Sequence, residues 1–175
     1  MPNAGRAAEI AEIDAFLALP KRLSNDVPQW TPAQRGFDAT WIVEDHLGVA
    51  VALLRLNCRR SSSPSPTFLL LHRQRLVWLT ELESPPRPHP NAPWAKEIGL
   101  PPIISGPHEH NWPDNKGHLA SLVPPAWDLP ARRPLNPAAA WSLPAALASF
   151  AQAINLTINS SQESFDVPPQ HEMLP

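Results

Sequence analysis

Residues 37–44 read Phe-Asp-Ala-Thr-Trp-Ile-Val-Glu, and apolar and polar side chains alternate along most of this stretch. An alternation with a period of two residues predicts a β-strand with one buried face. Residues 45–48 follow as a turn, and residues 49–57 form a second predicted strand that is apolar on both faces near its middle. Two more strands are predicted at residues 67–71 and 76–82, and the short connections favour an antiparallel meander.

Helical patterns flank these strands on both sides. Residues 7–19 carry apolar side chains at helical spacing, and Pro20 ends this helix because the residue before a proline disfavours the helical conformation. Ser142 is a favourable N-cap for a second helix, whose apolar stripe reaches Ile154. We therefore predict that both helices cover one sheet. The predicted core consists of Ile10, Ile13, Leu17, Trp41, Val43, Leu53, Leu70, Trp78, Leu147, Phe150 and Ile154.

Proline is the strongest deviation in composition, since 14 of the 24 prolines lie between residues 84 and 137. Proline removes a backbone donor and fixes φ, so this stretch is predicted to be a long, mostly extended excursion over the surface. One short strand near Ile103 and Ile104 should lead into a histidine-rich segment. Long loops in compact domains are usually functional or disordered.

Together these patterns predict a single α+β domain over residues 1–158. It has an N-terminal helix, a four- to five-stranded mostly antiparallel sheet, the proline-rich loop of residues 84–137, and a C-terminal helix. Beyond Ile158 the chain turns polar, and residues 159–175 are predicted to be a disordered tail.

Three of the seven histidines, His108, His110 and His118, lie in one short segment. The first two are two residues apart, so an extended backbone projects both side chains from one face, with α-carbons roughly 6–7 Å apart. One interpretation is a metal site, with zinc as the candidate ion, in which His118, Glu109 or Asp114 completes the ligand set. The spacing matches none of the familiar zinc motifs.

A second interpretation is acid–base cleavage of a phosphodiester. Two histidines that titrate near neutrality can activate a ribose hydroxyl and protonate the leaving oxygen. Lys116 or an arginine would then hold the developing charge on phosphorus. These residues predict a ribonuclease or phosphodiesterase with His108, His110 and Lys116 as its catalytic groups. A third interpretation gives the histidines only local hydrogen bonds.

Charge is distributed unevenly along the chain. The formal net charge of −2 excludes a strongly basic nucleic-acid binder. Between residues 55 and 87, however, there are six arginines and two acidic residues, and this excess predicts a local basic face. Solvated arginines at sheet edges and hairpin tips are the alternative explanation. The candidate binding residues are Arg55, Arg59, Arg73 and Arg75, together with the aromatic Trp112.

The single cysteine, Cys58, excludes an internal disulfide and a cysteine-rich zinc site, and is predicted to be a half-buried structural residue. The chain lacks the Gly-rich phosphate-binding motifs, the nucleophile-elbow motif and the zinc-protease motif. No apolar run approaches the ~20 residues that span a membrane. We therefore expect a cytoplasmic protein without a membrane segment.

The residues Gly106, His108 and His110 form a central Gly-x-His-x-His motif after several strands and before a C-terminal helix. In this respect the chain resembles small uncharacterised bacterial and phage-borne proteins, and it is similar to TumE-type toxin components of toxin–antitoxin pairs. Residues 13–22 also resemble the start of the uncharacterised group. The long proline-rich insertion and Pro107 depart from the pattern. The resemblance implies an α+β fold and a nucleic-acid target.

Two functional hypotheses follow. The first is a nucleic-acid-directed enzyme of a mobile element or toxin–antitoxin type, which cleaves RNA through the paired histidines or a metal. The second is a non-enzymatic phage- or plasmid-encoded protein that inhibits or adapts a host nucleic-acid-processing complex. In that case Glu9, Glu12 and Asp14 on the first helix would compete with nucleic acid for a basic groove. Neither the substrate nor the oligomeric state follows from the sequence.

Overall fold

The computed structural model describes residues 4–59, 65–83, 86–135 and 142–168. It has an N-terminal helix, a large and mostly antiparallel sheet, and a C-terminal helix, which confirms the predicted α+β class. The elements in chain order are α1 (Ala4–Ala18), β1 (Lys21–Leu23), β2 (Thr31–Ala33), β3 (Gly36–Asp45), β4 (Ala50–Arg59), β5 (Pro66–His72), β6 (Arg75–Glu81), β7 (Pro88–Pro90), a 3₁₀ helix (Pro93–Ile98), β8 (Ile103–Ser105), β9 (His108–His110), α2 (Trp112–Ser121), β10 (Arg133–Pro134), α3 (Leu143–Ala153) and β11 (Leu156–Thr157).

The main sheet has nine strands, more than the four or five predicted. Its order is β10-β9-β6-β5-β4-β3-β1-β11, and β2 pairs with β3 as a branch. Only β1 and β11 pair in parallel within the described residues, and the long central strands form the predicted meander. Most of the additional strands are two or three residues long, too short to show a period in the sequence.

Strand β4 shows how the sheet separates its two faces. Leu54, Leu56 and Cys58 are buried on the inner face, whereas Leu53 and Arg55 are exposed on the outer face. The prediction that Leu53 belongs to the core is therefore wrong: its side chain is 41% exposed and that of Leu54 is 0% exposed. The strand is apolar on both faces at this point, so alternation alone did not identify the buried side.

The helices cover the inner face. From α3, Phe150 packs edge-on against Phe68 and Trp78, with ring centroids 5.1 and 5.9 Å apart. From α1, Ile13 and Phe16 are buried in the same cluster. The other predicted core residues are buried there too, with Ile10 and Leu17 partly buried against it.

The end of α1 is fixed by Lys21. Its ammonium group donates to the carbonyl oxygens of Phe16, Leu17 and Leu19 at 2.5–2.9 Å. These carbonyls include the last of the helix, which have no partner within the helix itself. Lys21 thus joins the helix end to the first strand.

The proline-rich region is more regular than predicted. It contains the β7–β8 ribbon, the 3₁₀ helix, β9 and the ten-residue helix α2. Asn111 caps α2, since its side-chain oxygen accepts from the Asp114 amide at 2.9 Å, and Pro113 is tolerated in the first turn. The expectation of a mostly extended excursion is wrong for this helix.

The predicted tail also folds in part. Phe165 packs on Trp30 and Trp41, and the buried Gln162 donates to the Ser24 carbonyl at 2.8 Å. Residues 159–168 therefore belong to the domain, and residues 169–175 lie outside the described residues. In the described part of the chain, no helix has the length and apolar character needed to cross a membrane.

The two neighbouring leucines of β4 test this assignment of faces. Leu54→Ala should lower the free energy of unfolding by about 2–5 kcal/mol because it leaves a core cavity. Leu53→Ala, the matched control, should change it by about 0.5 kcal/mol or less because a surface substitution leaves no cavity. Urea titrations of both variants measure the difference, and equal losses would contradict the assignment.

Cys58 provides a second test. The thiol is buried, and burial raises its pKa to about 11. Because the thiolate is the reactive form, a disulfide reagent at about pH 8 should modify Cys58 only as fast as the protein unfolds. In denaturant the same thiol should react at once. Rapid and complete modification of the native protein would show that this end of β4 is open.

Candidate metal centre

The candidate site lies where β6 pairs with β9. The antiparallel register places Glu81 opposite His108 and Leu79 opposite His110. Because side chains alternate along a strand, Glu81, His108 and His110 share the outer face. Glu109, between the histidines, faces inward and accepts a hydrogen bond from the Trp78 indole at 3.1 Å. The prediction that His108 and His110 project to the same side is confirmed.

A tight turn before β9 sets the first imidazole. Gly106 has φ of +83°, in the left-handed region that favours glycine. Its carbonyl oxygen lies 2.8 Å from His108 Nδ1. The Leu129 carbonyl oxygen, further along the chain, orients the other imidazole and lies 2.6 Å from His110 Nδ1. A carbonyl only accepts, so both Nδ1 atoms carry the proton.

This tautomer leaves the two Nε2 atoms to face Glu81. Glu81 Oε2 lies 3.1 Å from His108 Nε2 and 3.8 Å from His110 Nε2. The three ligand atoms all lie within 4.8 Å of one another. Both Nε2 atoms are buried without a hydrogen-bond partner among the described residues, despite their closeness to the carboxylate. Glu81 is the residue that sequence reasoning missed, because it lies on a different strand and no spacing connects it to the histidines.

The arrangement of these three atoms favours a bound proton or a bound cation. With both imidazoles neutral and Glu81 ionised, three lone-pair-bearing atoms converge in a buried space, which is unfavourable. Protonation is one solution. Burial by itself would lower the pKa of His108, but the Glu81 carboxylate and the Gly106 carbonyl outweigh burial and raise it. In turn, His108 and His110 hold the pKa of the Glu81 carboxyl well below its ordinary value. A divalent metal ion held by all three atoms is a second solution.

Side chains around the cluster hold it in place. His89, on β7, lies with its ring centroid 5.2 Å from that of His108, and its Nε2 is 2.9 Å from Glu83 Oε2. The fully buried Asn115 exchanges hydrogen bonds with the backbone of Ala131 at 2.8 and 3.1 Å. That exchange ties α2 to the segment that follows Leu129, whose carbonyl orients His110.

The structure separates the other predicted site residues from this cluster. His118 stacks on Trp94, with ring centroids 5.1 Å apart, so Glu81 and not His118 is the third member. Lys116 forms an ion pair with Asp14 at 3.1 Å, away from the histidines. Trp112 is buried in the core and donates to Asp14 at 2.8 Å, so its ring is not exposed for stacking on a base.

Much of the predicted basic face pairs with the acidic helix. Arg73 and Arg75 form ion pairs with Glu12 and Glu9, each at 2.7 Å. The guanidinium of Arg75 also lies over the Trp127 ring, 4.6 Å from its centroid. These contacts join α1 to the β5–β6 hairpin. The acidic side chains of α1 and the two arginines of the hairpin therefore pair with each other within the fold. Arg55 and Arg59 differ, since they are exposed and have no ion-pair partner among the described residues.

Comparisons of the chain with models of protein families, with curated proteins and with solved structures found no match. The resemblance to phage-borne and TumE-type proteins consequently remains a prediction.

The charge requirement of the metal-free cluster predicts a pH dependence. The lowered pKa of Glu81 contributes stability above the unfolded value of 4.5, and this is lost as the pH falls. The raised pKa of His108 contributes stability below its unfolded value of 6.5, and this is lost as the pH rises past the folded value. The pair should therefore stabilise the protein most between about pH 4.5 and 6.5.

Unfolding in the presence of a chelator measures this effect. Glu81→Gln should destabilise the protein more at about pH 5.5 than at about pH 9, because the stability that comes from the raised pKa of His108 is lost as the pH rises. Glu97→Gln, at an exposed position, is the matched control and should show no such difference. A Glu81→Gln effect that is independent of pH would mean that the carboxylate and the imidazole do not interact.

Proposed function

We propose that Glu81, His108 and His110 bind one divalent transition-metal ion, with zinc as the first candidate, and that the protein is a metal-dependent hydrolase. The observation that carries this proposal is the pair of buried Nε2 atoms that converge on one carboxylate without hydrogen-bond partners. Two imidazoles and a carboxylate are an established ligand set for catalytic zinc and for non-haem iron.

The surroundings of the ligands support a metal role. Histidine ligands usually donate their second ring N–H to a carbonyl or a carboxylate, which fixes the tautomer and the orientation of the ring. The carbonyl oxygens of Gly106 and Leu129 accept from the two Nδ1 atoms in this way. Two separate backbone segments thus orient the imidazoles, so little ordering would be needed on binding.

The number and exposure of the ligands favour catalysis over a structural role. Structural zinc sites usually have four protein ligands, whereas catalytic sites have three and leave one position for water. Here the described residues supply three, and the Glu81 side chain is 36% exposed. A metal ion in such a site lowers the pKa of bound water to about 7 and supplies a nucleophile near neutral pH. The chain's own contribution is to orient the ligands and to bury two of them.

This proposal modifies the two hypotheses from the sequence. Metal-free acid–base cleavage of RNA needs imidazoles that reach the substrate, yet His108 and His110 are 0% and 7% exposed. The metal-dependent form of the enzyme hypothesis agrees better with these values. For the binder hypothesis, Glu9, Glu12 and Asp14 already have cationic partners in the fold. A phosphodiester is the substrate class that we retain for the hydrolase.

Metal titration of the chelator-treated protein tests the centre. We expect one Zn²⁺ or Co²⁺ per chain, measured by calorimetry and by the visible absorption of bound Co²⁺. Glu81→Gln, His108→Ala and His110→Ala should each weaken binding by at least about 10- to 100-fold, since loss of a ligand exceeds loss of a supporting contact. Zinc-loaded protein should also hydrolyse bis(p-nitrophenyl) phosphate, and Glu81→Gln should remove that activity.

His118→Gln is the matched control, because this histidine lies in the same segment but stacks on Trp94. It should bind metal like the unmodified protein. Glu81→Gln keeps the shape of the side chain at a partly exposed position, so the test does not depend on a buried histidine variant that fails to fold. An unmodified protein that binds neither ion would overturn the proposal. Binding without phosphodiester hydrolysis would overturn only the hydrolase assignment.

A further inference from the structure

The outer face of the sheet carries cations that the fold does not use. Most of the described basic side chains have a carboxylate or a backbone carbonyl as a partner. Arg35, Arg55 and Arg59 are exposed, and none of them has an ion-pair or hydrogen-bond partner within the described ranges. Arg60, the next residue along the chain, lies outside the described residues.

Strand register connects these arginines to the candidate metal centre. Arg55 is opposite Leu69, which is opposite Leu79, which is opposite His110. A second row starts at Asn57 and passes through Thr67 and Glu81 to His108. The two rows are neighbours on one face of the adjacent strands β4, β5, β6 and β9. The centre, Arg55 and Arg59 therefore face the same side.

Within these two rows of described residues, no acidic side chain lies between β4 and Glu81. Thr67 and Leu69 are the β5 members of these two rows, and both are half-buried. Asp38 is exposed on the same face, but it pairs with Asn57 from β3, on the side away from the centre. An anionic ligand that reaches Glu81 from β4 thus meets a neutral surface.

The spacing of the charges selects the shape of the ligand. Arg55 and Arg59 are four residues apart on one strand, roughly 13 Å, and Arg55 is three strands from His110, roughly 14 Å. A ligand that contacts both arginines and the centre must carry several negative charges along an extended chain. A shallow cleft of about 290 Å³, lined by residues that include Arg35 and Arg59, lies at the far end of this path.

We propose that the outer face of β4, β5 and β6 is a binding track for a single nucleic-acid strand, with Arg55 and Arg59 on its phosphates and one phosphodiester at the Glu81–His108–His110 centre. This inference rests on the proposed hydrolase function and names its substrate class. A positively charged path that follows the backbone is the usual way to hold single-stranded nucleic acid. Because Arg55 and Arg59 would contact phosphates and not bases, binding should be weakly dependent on sequence.

Binding of a fluorescein-labelled single-stranded RNA oligonucleotide tests the track. For single strands the logarithm of the affinity falls with the logarithm of salt concentration by about 0.7 per phosphate contact. Arg55→Gln and Arg59→Gln should therefore each reduce that slope by about 0.7 and weaken binding several-fold at low salt. Lys96→Gln is the matched control, since this exposed lysine lies on the 3₁₀ helix outside the main sheet.

A parallel metal titration separates the two proposals. Both arginine variants should bind Zn²⁺ like the unmodified protein, because neither side chain is a member of the cluster. Normal metal binding together with oligonucleotide affinity that Arg55→Gln and Arg59→Gln leave unchanged would overturn the track and not the centre. Absence of any oligonucleotide binding at low salt would do the same. Absence of metal binding would instead overturn the proposed function.

Discussion

The pairing of β6 with β9 is the contact on which the candidate site depends. It joins a strand of the central meander to a three-residue strand from the proline-rich region, in a register that places Glu81 beside His108. A shift by one residue would turn both histidines to the inner face and bring Glu109 outward. The Gly106 turn, the Asn111 cap and the Asn115 hydrogen bonds all act on the segments that flank this pairing. The same local contacts that hold these segments in the fold therefore also position the side chains of the site.

Charge is arranged differently on the two sides of the molecule. The acids of α1 pair with Arg73, Arg75 and Lys116, and these pairs connect elements that are distant in the sequence. Ion pairs at such partly exposed positions each add little to stability, but their charged side chains are already paired within the protein. On the outer face of the sheet, Arg55 and Arg59 are exposed beside a neutral surface.

The buried imidazoles of His108 and His110 each have one ring nitrogen with a backbone partner and one without. Their Nδ1 atoms each lie against a backbone carbonyl oxygen, whereas their Nε2 atoms face the Glu81 carboxylate without a hydrogen-bond partner among the described residues. Buried polar atoms without partners are uncommon, and each has a cause such as strain, a catalytic role, or a bound water or ion. Here two such atoms converge on one carboxylate, so the requirement for positive charge is local and specific.

The sequence by itself determined the features that depend on neighbouring residues. Alternation and short apolar runs between turns identified the four central strands, helical spacing identified α1 and α3, and a separation of two residues placed His108 and His110 on one face. The start of α2 also had a local signal, the Asn111 cap followed by Pro113, which the density of prolines obscured. Only the tertiary structure decided which side of β4 is buried, that Phe165 returns to the core, and that Arg73 and Arg75 are neutralised. It alone brought Glu81 to the histidines, because strand pairing is a long-range interaction that no sequence spacing encodes.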